Sequence, residues 1–260
     1  MIIGNRIFEN YTYIMAIINL TPDSFWAESR KGADDVLFAV ERAQKEGASV
    51  IDIGAQSTRP GYSEISAEEE IARFEKPLRM IKERFDIPIS VDTYFAESAH
   101  AALELGADMI NDIWGLSHSE DMAKTVAKFN ASVCIMHNAK EQLSGDIWGV
   151  IENFLEKSAQ KALNSGIGKD KIILDGGIGF AKDRAQSIEL LNGYERLKKH
   201  GYPLLLGASR KSLFGGEAKD RLLKTLESTR LAVEKGVLFV RVHDVKENAE
   251  IIKKTYENIR

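Results

Sequence analysis

A set of polar residues closes a series of short apolar runs along this chain: Asn19, Asp52, Asp92, Asn111 with Asp112, His137, Asp175, Ser209 and His243. Asp92, Asn111 and Asp175 are acceptors with one amide among them, a set that suits a ligand edge rich in N–H donors, such as a guanidine-like heterocycle. Arg59, Lys211, Arg241 and His243 supply the opposite sign. Arg241 and His243 alternate with apolar residues in "FVRVHDV", so both face one side of a strand. They form either a solvated pair at a strand end or an anion clamp in which the arginine has bidentate geometry available. Lys211 sits in "LLLGASRKSLFGG" (204–216), which imitates a phosphate-binding GxxxxGK[ST] loop. The residue before the lysine is Arg210, however, so the second glycine is missing and Lys211 needs another role. Asp112 points to the opposite strand face from Asn111 and serves structure. His100 and His200 read as surface residues and His118 as a loop or helix-start residue, while His137 is either packing or a ligand contact. No pair of histidines has zinc spacing.

Such residues need elements that bring them together. The runs "YIMAIIN", "SVIDIG", "IPISVD", "DMIND", "SVCIMH", "IILDGG", "PLLLGAS" and "LFVRVHD" are short and rich in Val, Ile and Leu, as buried parallel strands are. Helical patterns lie between them, for example over Asp34–Glu46 and Phe95–Leu105. Gly47 and Gly106 end two of these helices in the left-handed region. Ser66 followed by Glu69 predicts a capping box opening a helix that runs to about Arg84. Strand–helix units of about 30 residues fit eight times into 260 residues, which predicts a (β/α)8 TIM barrel spanning 1–260 as a single domain. An open doubly wound sheet is the alternative, but no GxGxxG turn follows the first strand. In a barrel the strand ends converge on one mouth, where active sites lie, and the loops after strands seven and eight often take phosphate.

Composition excludes several other classes. With 44% hydrophobic and 28% charged residues the chain is an ordinary globular one. Its 35 basic against 39 acidic side chains, with no dense basic stripe, argue against nucleic acid. The single cysteine, Cys134 in "SVCIM", reads as a small buried hydrophobe and forms no internal disulfide. The start "MIIGNRIFENYTYIM" lacks the features of a signal peptide, and no run approaches the ~20 apolar residues of a membrane span. A cytoplasmic location with no membrane partner is expected.

The segments "INLTPDSF" (18–25), "DIGAQSTRPG" (52–61), "PISVDTY" (88–94), "INDIWG" (110–115), "IMH" (135–137), "ILDGGIGF" (173–180), "GASRKS" (207–212) and "RVHDV" (241–245) closely resemble, in order and spacing, the dihydropteroate synthase family of folate enzymes, which sulfonamides inhibit. The resemblance implies pterin binding by Asp92, Asn111, Asp175 and Lys211. It implies that Asn19 helps hold Mg2+ and a substrate diphosphate, which Arg241 and His243 anchor. Asp23, Ser24 and Phe25 would lie in one mobile loop and Thr58, Arg59 and Pro60 in a second, with Lys211, Ser212 and Phe180 near the p-aminobenzoate. The implied catalytic set is Lys211, Arg241, His243 and Asp92. The implied reaction joins (7,8-dihydropterin-6-yl)methyl diphosphate to p-aminobenzoate by an SN1-like C–N bond formation, in a homodimer. Three places depart from the family pattern: Ala27 replaces a loop aspartate, Gly176 a usual proline and Ala181 a common glycine; and "IMHNAKEQ" lacks a glycine that often follows the histidine. The lost loop aspartate keeps a non-catalytic pterin-binding paralogue in view. A methyltetrahydrofolate-binding corrinoid methyltransferase would need no diphosphate clamp, so "GASRKS" and "RVHDV" argue against it.

Overall fold

The structure, a computed structural model, describes residues 1–20, 30–56, 64–217 and 221–259, with backbone alone for 30–33. A small hairpin, β1 (Ile2–Ile3) and β2 (Arg6–Ile7), precedes the parallel strands. These are β3 (Tyr13–Asn19), β4 (Val50–Gly54), β5 (Ile89–Asp92), β6 (Met109–Asp112), β7 (Ser132–Met136), β8 (Ile172–Asp175), β9 (Leu205–Leu206) and β10 (Phe239–Val242). They hydrogen-bond in the order β8-β7-β6-β5-β4-β3-β10-β9, and a bridge from Leu174 to Leu204 joins the two ends. The predicted eight-stranded barrel is therefore closed. Helices α1 (Arg30–Glu46), α2 (Ala67–Arg84), α3 (Ala96–Glu104), α4 (Met122–Lys128), α5 (Ile147–Asn164), α6 (Arg184–Asn192), α7 (Leu222–Glu234) and α8 (Val245–Ile259) surround it.

Alternation along the strands builds the interior in layers. Met15, Val50, Met109, Cys134, Ile173, Leu205 and Phe239, all fully buried, form an apolar floor. The hairpin region closes that floor from outside: Ile3 and Phe8 pack into the same cluster, and Phe8 meets Phe239 edge-on at 5.0 Å. Two residues further along, the inward positions turn polar: Val50 gives way to Asp52, Met109 to Asn111, Ile173 to Asp175 and Phe239 to Arg241. The outward residues pack against the helices in one continuous cluster.

Gly47 and Gly106 take φ of +111° and +93°, as the helix-stop reading expects. The capping box of α2 is half formed. Ser66 Oγ accepts from Glu69 N–H at 3.3 Å, but the Glu69 carboxylate turns to Arg73 at 2.7 Å instead of back to the cap. The complete box opens α6, where Asp183 and Gln186 cap each other. The hairpin has no counterpart in the sequence reading, because two-residue strands carry no periodicity.

Candidate active site

Five of the implied site residues, Asn19, Asp92, Asn111, Asp175 and Arg241, sit on the strands themselves. Asn19, Gly54 and Asp92 are neighbours in register across β3, β4 and β5. A Cβ on Gly54 would stand 3.4 Å from Asn19 Oδ1 and 4.0 Å from Asp92 Cβ, so the glycine keeps open the gap between them. Asn111 is the next partner of Asp92, and its Nδ2 donates to Asp52 Oδ2 at 3.2 Å.

Arg241 overturns the expected division of the mouth into acceptor and cationic sides. Its Nε donates to Asp52 Oδ2 and its Nη2 to Asp92 Oδ2, each at 2.5 Å, so the arginine lies among the carboxylates. The physical reason is depth. At the first polar layer Asp52 is fully buried and Asp92 nearly so, and a guanidinium two residues above the floor can satisfy both carboxylates. Burial pushes Asp92 up to about 7, against the pull of Arg241 and with repulsion from Asp52. Burial alone would lower Arg241, but Asp52 and Asp92 hold it above its ordinary value.

Asp175 closes the opposite side of the pocket. Its Oδ1 accepts from Gly177 N–H at 2.8 Å and lies 2.8 Å from the hydroxyl of Tyr194. Burial raises its affinity for a proton. Lys211 reaches in from the segment after β9, donating to the Ile178 carbonyl at 2.7 Å, with its ammonium 4.0 Å from the centre of the Phe180 ring. Burial lowers Lys211 to about 8, while Asp175 pulls the other way. Arg210, with φ of +53°, swings away from Lys211 and pairs with Asp244, Nε to Oδ2 at 2.9 Å. The imitation of a phosphate loop is thus split: one cation staples the segment to the strand end of β10, the other enters the pocket.

His243 is held by Ser209. The Ser209 Oγ accepts from His243 backbone N–H at 3.2 Å and lies 3.0 Å from Nδ1. These two contacts to one hydroxyl fix the orientation of the ring. His137 is a structural acceptor. It is buried, and its Nδ1 lies 2.9 Å from Lys182 Nζ, which also donates to the Gly177 and Phe180 carbonyls at 2.9 Å each. Burial lowers His137 to about 3 and Lys182 to about 7. Asp112, as expected, caps the backbone, accepting from Trp114 and Leu116 N–H at 2.8 Å each. His118 is exposed and packs edge-on to Tyr94, but His100, which pairs with Glu104, and His200 are both half-buried rather than surface residues.

Ser212 is exposed on a 3-10 turn, and Phe180 is half-buried beside Lys211. Phe25, Thr58, Arg59 and Pro60, with Asp23, Ser24 and Ala27, lie outside the described residues. Sequence reasoning placed Asp52 among the polar residues that close the runs but gave it no role, and it missed Lys182 and Tyr194, which carried no signal.

The family model of pterin binding enzymes matches residues 15–243. A dihydropteroate synthase of Clostridium beijerinckii (strain ATCC 51743 / NCIMB 8052) is 44% identical over 265 residues, covering 98% of each chain. A crystal structure of dihydropteroate synthase from Clostridium difficile in the presence of pteroic acid superposes with a TM-score of 0.94 at 42% identity, covering 97% of this chain and 98% of that one. The Xanthomonas albilineans enzyme with 4-aminobenzoic acid gives 0.89 at 31% identity, covering 96% of this chain and 93% of that one.

Proposed function

This chain belongs to the pterin binding enzyme family, and from that premise we propose that its barrel mouth joins (7,8-dihydropterin-6-yl)methyl diphosphate to p-aminobenzoate, giving 7,8-dihydropteroate and diphosphate. One observation carries the reading: Asp92, Asn111, Asp175 and Lys211 converge above a sealed apolar floor, the surround that a flat ring with N–H donors and a carbonyl requires. The relatives that hold pteroic acid and 4-aminobenzoic acid agree with it.

In this reading Asp92, Asn111 and Asp175 hold the pterin edge, and Lys211 donates to its carbonyl. An aniline nitrogen is a weak nucleophile, so the barrier falls on the departing diphosphate. Arg241 and His243 face that charge. Two of the five N–H groups of Arg241 are held by Asp52 and Asp92, which leaves donors for an anion. As the C–O bond lengthens, the methylene becomes cationic and the nearby carboxylates favour it. Seating both reactants in line contributes on the order of 7–11 kcal/mol. The C–N bond forms by an SN1-like path, for which an isotope effect at the methylene near its limiting value is expected and a small one would indicate associative displacement.

Among the described residues no group of three His, Cys, Asp or Glu side chains gathers as a metal cage. The half-buried Asn19 offers one neutral oxygen at a strand end, a donor set that fits a Mg2+ brought in with a diphosphate. Bound by Asn19 and phosphate oxygens, Mg2+ would neutralise charge on the leaving group. A homodimer and a cytoplasmic location complete the reading; the family resemblance supports the former, and light scattering on the purified protein tests it. No helix among the described residues is long and apolar enough to cross a membrane.

The test is diphosphate release from the pterin diphosphate with Mg2+, with and without p-aminobenzoate, alongside chromatography for dihydropteroate. Product that needs the aniline, and that ceases on chelation with EDTA, supports the reading. Pterin binding without product would make this chain a binding protein.

A further inference from the structure

The seam that closes the barrel rests on the bridge between Leu174 of β8 and Leu204, where Leu174 N–H donates to the Pro203 carbonyl at 3.0 Å. Donors recur at every second residue of a parallel ladder, so the next rung would run from Gly176 N–H to the Leu205 carbonyl. A side chain stands there instead. Tyr194 opens the 3-10 segment Tyr194–His200. Its hydroxyl oxygen accepts from Gly176 N–H at 2.9 Å and lies 2.5 Å from the Leu205 carbonyl. The phenol is let into the ladder as an extra link.

The Tyr194 ring is buried in the apolar layer outside the barrel, whereas Asp175 is one of the inward polar positions. The hydroxyl therefore passes through the wall. It donates to Asp175 Oδ1 at 2.8 Å, sharing its one proton with the Leu205 carbonyl. Gly176 gives room for this crossing, since a Cβ there would stand 3.2 Å from both Leu190 and Leu197. A proline at 176, usual in the family pattern, would supply no N–H to the phenol.

The result is an asymmetric carboxylate. Gly177 N–H and Tyr194 both donate to Oδ1, whereas Oδ2 takes no hydrogen bond among the described residues. Oδ2 lies beside Gly207, where a Cβ would stand 3.3 Å from it. A carboxylate held by one donor can swing about that contact; a second donor, from the far side of the wall, fixes its plane.

We propose that Tyr194 is a positioning residue of the pterin site: set through the seam between β8 and β9, it holds the Asp175 carboxylate with Oδ2 turned to the ring. This role rests on Asp175 as a pterin contact, as read above. Tyr194 itself stands behind the carboxylate and touches no substrate.

Tyr194→Phe keeps the ring and removes the link. It should lower kcat/KM for the pterin diphosphate roughly tenfold, about the net worth of one hydrogen bond, and leave KM for p-aminobenzoate unchanged. Asp175→Ala completes a double-mutant cycle: with the carboxylate gone, Tyr194→Phe should change kcat/KM by less than about twofold. A tyrosine that only props the wall lowers both backgrounds alike. That result overturns the proposal, as does an unchanged kcat/KM in Tyr194→Phe. The second variant is Tyr194→Leu, whose shorter side chain lets the rung close. A crystal structure of that ligand-free protein should show Gly176 N–H on the Leu205 carbonyl and the Asp175 carboxylate turned from its place. It decides the matter if Tyr194→Phe fails to fold or Asp175→Ala is inactive, for a carboxylate that stays in place sinks the positioning role. If the wild-type protein binds no pterin, the functional reading falls, and the same structure still tells whether Tyr194 holds Asp175.

Discussion

Individual side chains in this pocket are tuned by what surrounds them, and two of them set a narrow working range of pH. Asp92, raised to about 7 by burial, becomes the stronger, charged acceptor for a ring N–H once deprotonated, so in the proposed reading substrate capture improves as pH rises through 7. Lys211, lowered to about 8 by burial, loses its charge and a donor as pH rises further. The kcat/KM for the pterin substrate is therefore expected to be bell-shaped between these values. Lys211→Met should abolish the alkaline limb and lower kcat/KM by roughly 10- to 150-fold, the equivalent of about 1.5–3 kcal/mol for a hydrogen bond from a charged group. A profile flat from pH 6 to 9 would contradict the assignment. At this scale the sequence was informative where chemistry coincided with strand ends, as for Asp92, Asn111 and Asp175. It was silent where partners are remote. Asp52 meets Arg241 across 189 residues, and no local pattern can announce that a cation will sit between two carboxylates. Tyr194 lies in an irregular stretch whose hydrophobic pattern is too weak to place its side chain.

Secondary elements hold these side chains through a few specific contacts. The loop after β8 is gripped from two sides, since Lys182 binds the Gly177 and Phe180 carbonyls and Lys211 binds that of Ile178. Gly177 is at its tightest point, with φ of +71° and a hypothetical Cβ only 1.9 Å from the His137 carbonyl oxygen. Gly177→Ala cannot be accommodated without moving β7 or the loop. It should destabilise by more than the ~1–2 kcal/mol of left-handed strain alone, measured by urea denaturation, and should weaken pterin binding as well. Ser66→Ala, by contrast, removes a single cap of α2 and should cost about 1 kcal/mol with kinetics unchanged. Strand and helix positions were legible because alternation and helix stops are local signals. The reciprocal half of the α2 cap was not, because Glu69 has a choice of partners and Arg73, one turn on, offers a charge.

The molecule as a whole depends on its floor. Phe8, 4% exposed, seals the barrel from below against Tyr13 and Phe239, at ring-centre distances of 4.9 and 5.0 Å. Phe8→Ala should cost about 3–5 kcal/mol of stability by denaturation while leaving the pH profile of turnover in place, since the polar layer stands on the strands above. A loss of activity with unchanged stability would show that the floor shapes the pocket directly. The barrel itself was legible from eight repeated units; its stopper was not, being a hairpin too short to leave a pattern. The stopper also governs traffic. Among the described residues a barrel corked at its floor is a cul-de-sac, so whatever rests against Asp175 enters and leaves by the mouth and cannot slip out behind.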